Sequence, residues 1–183
     1  MGENGKATLL KLDLGCGENK REGFTGVDLY AQADVKCDLM QFPWPWQDSS
    51  IDEIWCSHFF EHIAGPMRVR FMDEVWRILV PQGKMTIICP YWSSPRSIQD
   101  PMHQWPPISE QSFLYFNKGW RTQNKLNHYL GTCNFDFSFG YLLEQDTAQR
   151  TQEAQYFYIK HYVNAVNDIQ VNLTKVVDEQ KTQ

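Results

Sequence analysis

The sequence predicts an α/β fold with a doubly wound, mostly parallel sheet, and three features carry that prediction. An apolar run, Leu12-Asp13-Leu14, stops at Gly15-Cys16-Gly17; two further short strand-like stretches end in acids at Asp28 and Asp38; and an amphipathic helical pattern over residues 66–79 links strand-like residues 51–56 to strand-like residues 84–90. Strands alternating with helical pattern in this way pair in parallel. In such sheets ligands bind beyond the carboxyl ends of the strands, at the point where strand order reverses.

Ala7-Thr8-Leu9-Leu10-Lys11 leads into the first strand. The turn that follows needs glycine, which tolerates left-handed dihedrals and lets a ligand approach the backbone. A dinucleotide fingerprint would put a small residue where Lys20 stands and an acid about 20 residues on. Here Asp28 follows Gly17 by only 11 residues. That is too short for a helical crossover, which takes a dozen residues or more. A loop of at most one turn is therefore expected over residues 18–25, and a nicotinamide enzyme is disfavoured.

Leu12-Asp13-Leu14-Gly15-Cys16-Gly17, a short link and Val27-Asp28-Leu29 together resemble the opening of class I S-adenosylmethionine-dependent methyltransferases with an abbreviated first helix. The likeness continues through Cys37-Asp38-Leu39, Phe42-Pro43, Ser50-Ile51-Asp52-Glu53-Ile54, Phe60-Glu61-His62-Ile63 and Arg77-Ile78-Leu79-Val80-Pro81-Gln82-Gly83, covering roughly residues 8–92. The ordered succession is more specific than any single motif. The resemblance implies a Rossmann-like fold with an antiparallel carboxy-terminal edge, and S-adenosylmethionine as cofactor. It implies that Asp13 helps hold the methionine end, that Gly15, Cys16 and Gly17 offer backbone amides to its carboxylate, and that Asp28 with Leu29 binds the ribose. Asp38 and Leu39 would lie by the adenine, with Ser57 and His58 bordering the cofactor.

Composition bounds the alternatives. The 183 residues, 21% charged and 42% hydrophobic, suit one soluble domain. The cofactor half is placed at about 8–92, the lid and acceptor region at about 91–130 and the edge strands at about 135–177. A net charge of −5 offers no broad attraction for nucleic acid, so a small molecule or a protein side chain is favoured as acceptor. Five cysteines without C-x-x-C spacing read as buried thiols in a reducing compartment. No apolar run is long enough to span a membrane, and residues 1–6 carry no basic lead into an apolar stretch, so a cytoplasmic protein is expected. Oligomeric state is not legible.

Phe42-Pro43-Trp44-Pro45-Trp46 is too proline-rich for a strand and is expected to be a loop with a tryptophan packed beneath it. His58-Phe59-Phe60-Glu61-His62 spells H-x-x-E-H, a zinc pattern when it lies on a helix. Gly65-Pro66 breaks the segment early, and catalytic zinc takes three protein ligands, so no metal site is expected. Glu61 and His62 are expected to face the next layer. The helix over 66–79 turns Met67, Phe71, Val75, Ile78 and Leu79 inward and most of Arg68, Arg70, Asp73, Glu74 and Arg77 outward, with Pro81-Gln82-Gly83 turning the chain into the fifth strand.

Residues 91–107 lack periodicity but are rich in aromatic and polar side chains, the character of a functional lid. Tyr91, Trp92, Arg96, Asp100 and Trp105 are the candidate substrate residues, with His103 as first and His58 as second candidate base. A short helix capped by Ser109 follows, turned by residues 117–120; residues 135–142 and 169–176 alternate as strands, and 147–165 reads as helix or strand. Two other functions fit part of the pattern. One is a cofactor-binding protein without turnover; the other is a zinc hydrolase built on His58 and His62.

Overall fold

The computed structural model describes residues 9–129 and 131–177. Residues 1–6 and Ala7-Thr8, for which expectations are stated above, lie outside the described residues. Seven strands form one sheet: β1 (Lys11–Leu14), β2 (Thr25–Asp28), β3 (Val35–Lys36), β4 (Ile51–Ser57), β5 (Leu79–Pro90), β6 (Phe135–Leu143) and β7 (Val166–Lys175), in the order β3-β2-β1-β4-β5-β7-β6. The pairs from β3 to β5 are parallel; β7 runs antiparallel between β5 and β6. This is the expected α/β architecture with its antiparallel edge. Order reverses at β1, with β2 on one side and β4 on the other, so the carboxyl end of β1 is the point where a crevice opens.

Leu12, Leu14, Ile54, Cys56, Ile87 and Cys89 are fully buried along the central strands, as near-continuous apolar strands require. Helix α1 (Gly65–Ile78) places Phe71, Met72, Val75 and Ile78 in the same core. Pro66 lies in its first turn, where a missing N–H costs nothing. The link from β1 to β2 holds only turns, as its length demands.

Three expectations are revised. β5 begins at Leu79, paired with Ile51, and absorbs Pro81-Gln82-Gly83 as an irregularity before Lys84 pairs with Glu53; Gln82 takes φ 64°. Hydrogen bonds to β4 thus resume directly where the helix ends. Arg68 and Glu74, assigned to the outer face of α1, are buried. Glu74 Oε1 accepts from the Trp44 N–H and from Arg77 at 2.6 Å, while Arg77 also reaches Asp48 and the carbonyls of Trp44 and Trp46. This network ties the proline-rich loop to the helix, with Trp44 buried against Phe71. Residues 117–120 do more than turn the chain: Asn117 caps a further helix.

The lid contains the short helix α2 (Arg96–Gln99), and α3 (Glu110–Leu114) carries the Ser109 cap as a capping box with Ser112. Asn117 accepts from the Trp120 N–H at the start of α4 (Lys118–Gln123). The open segment resolves into α5 (Gln145–Ala148) and α6 (Gln152–His161). Among the described residues no helix is long and apolar enough to cross a membrane.

Candidate active site

The turn after β1 is built as glycine demands. Gly15 and Gly17 have φ of 68° and 52°, and a Cβ on Gly15 would lie 2.4 Å from the Phe59 ring. The amides of this turn face inward, contrary to the expectation that they meet a carboxylate: Gly15 and Cys16 N–H both donate to the Val27 carbonyl, and Gly17 N–H donates to Asp28 Oδ2 at 3.1 Å. Closing the parallel ladder to β2 uses them up. Asp13 is also turned inward. It is buried and accepts the Arg21 N–H at 2.8 Å, fastening the loop that follows the turn. Burial raises its pKa, against the Arg21 N–H and the Arg21 charge. Cys16 donates its thiol to the Gly17 carbonyl.

Asp28, at the end of β2, accepts from Tyr30 N–H at 2.7 Å and Ala31 N–H at 3.0 Å through Oδ1, besides Gly17 through Oδ2. Burial works against its charge, but these three donors and the nearby Lys36 prevail and hold its pKa below the usual carboxylate value. It is an ionised acceptor with lone pairs to spare.

A cavity of about 610 Å³ opens at this edge, lined by Gly15, Asp28, Leu29, Asp38 and Leu39 at or just beyond the carboxyl ends of the first three strands and by Asp100 from the lid. All six were candidates in the sequence. Asp38 accepts from Met40 N–H at 2.9 Å and Gln41 Nε2 at 3.1 Å, a turn-capping role alongside its place in the wall. Tyr30, Cys37, Met40, Phe59, His62 and Met102, none of which the sequence assigned to the cofactor or acceptor, complete the wall. Phe59 and His62 stand in a motif that was recognised, but only the backbone after β4 decides which of its members turn inward.

That backbone is a single 3-10 turn over Phe60–His62, not a helix. His58 leaves β4 with φ 54° and sets Nδ1 3.3 Å from Glu61 Oε1, away from the cavity wall. The Glu61 hydrogen bond raises its pKa, opposed by burial. H-x-x-E-H therefore does not bring His58 and His62 onto one ion, and the zinc hydrolase built on that pair is set aside. Instead His62 packs edge-on against His103, with ring centroids 4.7 Å apart. Glu61 and His62, expected to face the next layer, face the lid.

Buried Arg68 holds the lid there. Nε donates to the Ile63 carbonyl, Nη1 to Pro106 and Nη2 to Gln104, while Gln104 N–H donates to the Glu61 carbonyl. Arg68→Met keeps the aliphatic stem but leaves three carbonyls without a charged donor, an expected loss of about 2–4 kcal/mol in urea unfolding.

The remaining candidates scatter. Tyr91 is buried, its hydroxyl donating to Glu110 Oε2 at 3.0 Å, and Arg96 pairs with Asp168 at 2.7 Å. Trp92 and Trp105 are 53% and 80% exposed, so neither packs as a platform in the cavity. Ser57 and Gly17 also lie off its wall. Tyr91, Trp92, Arg96 and Trp105 leave one segment in different directions, which a loop without periodicity does not announce.

A family model described as a methyltransferase domain matches residues 12–87. Among solved structures, an S-adenosylmethionine-dependent methyltransferase from Archaeoglobus fulgidus aligns with TM-score 0.62 and 19% identity over 93% of this chain and 87% of that one. A Haloferax volcanii complex between the Trm112 methyltransferase activator and a methyltransferase gives TM-score 0.57 and 14% identity over 94% and 84%. Geranyl diphosphate C-methyltransferase from Streptomyces coelicolor, solved with S-adenosyl-L-homocysteine, gives 0.54 and 15% over 92% and 70%. At these identities the structural likeness is one of fold. The comparison with curated proteins returns no match. The methyltransferase-domain match spans the strands that build the cavity, up to Ile87 of β5, and the sheet whose order turns at β1 shares its fold with S-adenosylmethionine-dependent methyltransferases.

Proposed function

We propose that the cavity holds S-adenosylmethionine between Gly15 and Asp28, and that the methyl acceptor is a small molecule or a protein side chain entering beneath the lid. The observation that carries this reading is that Gly15 and Asp28 line one cavity together with His62 and Asp100 from the acceptor side. Its volume of about 610 Å³ suits a nucleoside-sized ligand. The bare main chain at Gly15 lets the Phe59 ring close against it without filling the cavity, and Asp28 presents an ionised acceptor to paired hydroxyls.

The bound cofactor supplies a methyl group made electrophilic by its sulfonium. The chain's own part is placement, which in favourable cases lowers a barrier by about 7–11 kcal/mol. Asp28 receives the ribose hydroxyls. Leu29, Leu39 and Met40 give the base an apolar surround, and Phe59 fixes the wall against Gly15. Met102 and Asp100 close the acceptor side, clamped by Arg68 through the chain at Gln104 and Pro106. The net charge of −5 favours an acceptor other than nucleic acid.

Calorimetric titration with S-adenosylmethionine and with its demethylated product tests the reading, followed by mass spectrometry of acceptors incubated with isotopically labelled cofactor. Stoichiometric binding of both ligands is expected, with the label appearing on an acceptor. Failure of both ligands to bind refutes it.

A further inference from the structure

We propose that Glu61, His62 and His103 bind one divalent transition-metal ion, with zinc the first choice, at the acceptor edge of the cofactor cavity, and that its open positions take a hydroxyl of the acceptor. The second half of this statement rests on the function proposed above; the first half does not.

One nitrogen from each imidazole and one carboxylate oxygen lie within 4.8 Å of one another. Ligand atoms around a tetrahedral ion with bonds of about 2.1 Å stand about 3.4 Å apart, so small side-chain rotations close the set. An independent observation points the same way. Glu61 is 5% exposed, and its Oε2 is buried with no hydrogen-bond partner. A buried carboxylate oxygen left so is costly unless a cation or donor meets it. Its other oxygen is already engaged by His58, which fixes the carboxylate without satisfying it.

His103 is prepared in the way that a metal ligand requires. His103 Nδ1 is 3.2 Å from the Ser97 carbonyl. A carbonyl only accepts, so Nδ1 carries the hydrogen and a neutral His103 keeps its lone pair on Nε2. Ligating histidines are commonly oriented in this way, by donating the other ring N–H to a carbonyl. Asp100 Oδ2 lies 3.8 Å from that Nε2, adding negative charge beside the site. The donors come from segments some forty residues apart and are brought together before any ion arrives, by the Gln104-to-Glu61 backbone bond and the Arg68 clamp.

Two imidazoles and one carboxylate favour zinc and its neighbours over magnesium or calcium, which prefer oxygen throughout. Three protein ligands leave positions open, the arrangement of reactive rather than structural sites. Of the three ligands His62 lines the cavity shared with Gly15 and Asp28, with Asp100 beside it, which puts the site at that cavity's edge. A hydroxyl held there is polarised and gives up its proton to solvent more readily. That marks the acceptor as an alcohol or phenol.

The test is zinc titrated calorimetrically into metal-stripped full-length protein, with magnesium in parallel, and S-adenosylmethionine affinity measured on the same samples. One equivalent of zinc is expected to bind, with magnesium at least about 100-fold weaker. His103→Ala, off the cavity wall, is expected to weaken zinc by about 100-fold while leaving cofactor affinity within about threefold. Glu61→Gln should weaken zinc similarly; if it fails to fold, His62→Gln takes its place. Zinc binding that survives His103→Ala unchanged, as surface His128 or His161 would produce, overturns the proposal, as does a wild type that binds no zinc. Because cofactor affinity is read separately, loss of the metal site and loss of the cofactor reading are told apart.

Discussion

Asp28→Asn is expected to weaken S-adenosylmethionine binding by about 100-fold, since two hydrogen bonds to an ionised acceptor are worth about 1.5–3 kcal/mol each before mutual compensation. The substitution is almost isosteric, so the cavity keeps its shape. Its amide can still accept from the Tyr30 and Ala31 N–H groups that meet Oδ1, but it places a donor against the Gly17 N–H that meets Oδ2. A modest stability loss of about 1–2 kcal/mol should accompany the binding defect. Unchanged affinity with a normal melting curve would remove the ribose role from this residue. The pH dependence has a definite sign. The folded-state pKa of Asp28 lies below its unfolded value, so its contribution is present above the unfolded value and is lost as pH falls through the folded one. Cofactor affinity through Asp28 should therefore stay level from neutrality down to the ordinary carboxylate range and fall only below it. Calorimetry across a pH series reads this directly.

Gly15→Ala is expected to produce the largest loss of all, affecting folding and cofactor binding together. The position has φ 68°, and the added methyl meets the Phe59 ring at 2.4 Å. The left-handed backbone costs roughly 1–2 kcal/mol and the overpacking roughly 1–3 kcal/mol, so urea unfolding should show a drop of about 2–5 kcal/mol. Phe59 lines the cavity, and its displacement into that space should abolish cofactor binding. Gly17→Ala separates the two terms: its φ is 52°, but nothing lies within 4 Å of the added Cβ. It should carry the backbone cost alone and keep the cofactor. Phe59→Ala combined with Gly15→Ala should recover the steric part, and failure to recover any of it would show that packing against Phe59 is not the cause.

Local chemistry made much of the cavity at the end of β1 readable in the chain. A glycine turn after an apolar strand, and acids at the ends of the next two, announce themselves through dihedral preference and period; Gly15, Asp28 and Asp38 do meet around one cavity. The loop over residues 91–107 was far less readable. Tyr91, Arg96 and Trp105 share one loop with Asp100, yet one side chain is buried on Glu110, one pairs with Asp168 and one points to solvent. Arg68 carries a helical pattern's outward label, but the lid descends over it and supplies carbonyls that make burial of its charge tolerable.

By itself, then, the sequence determined the strand-turn-acid succession, the helix between β4 and β5 and the alternation of β6 and β7, because each depends on spacing along the chain. Tertiary structure alone decided that the turn amides close onto β2, that His58 swings away while His62 turns in, and that His103 arrives beside Glu61 from forty residues on. Those outcomes depend on which carbonyls and carboxylates lie opposite once the sheet has formed, and no local period encodes a partner that distant.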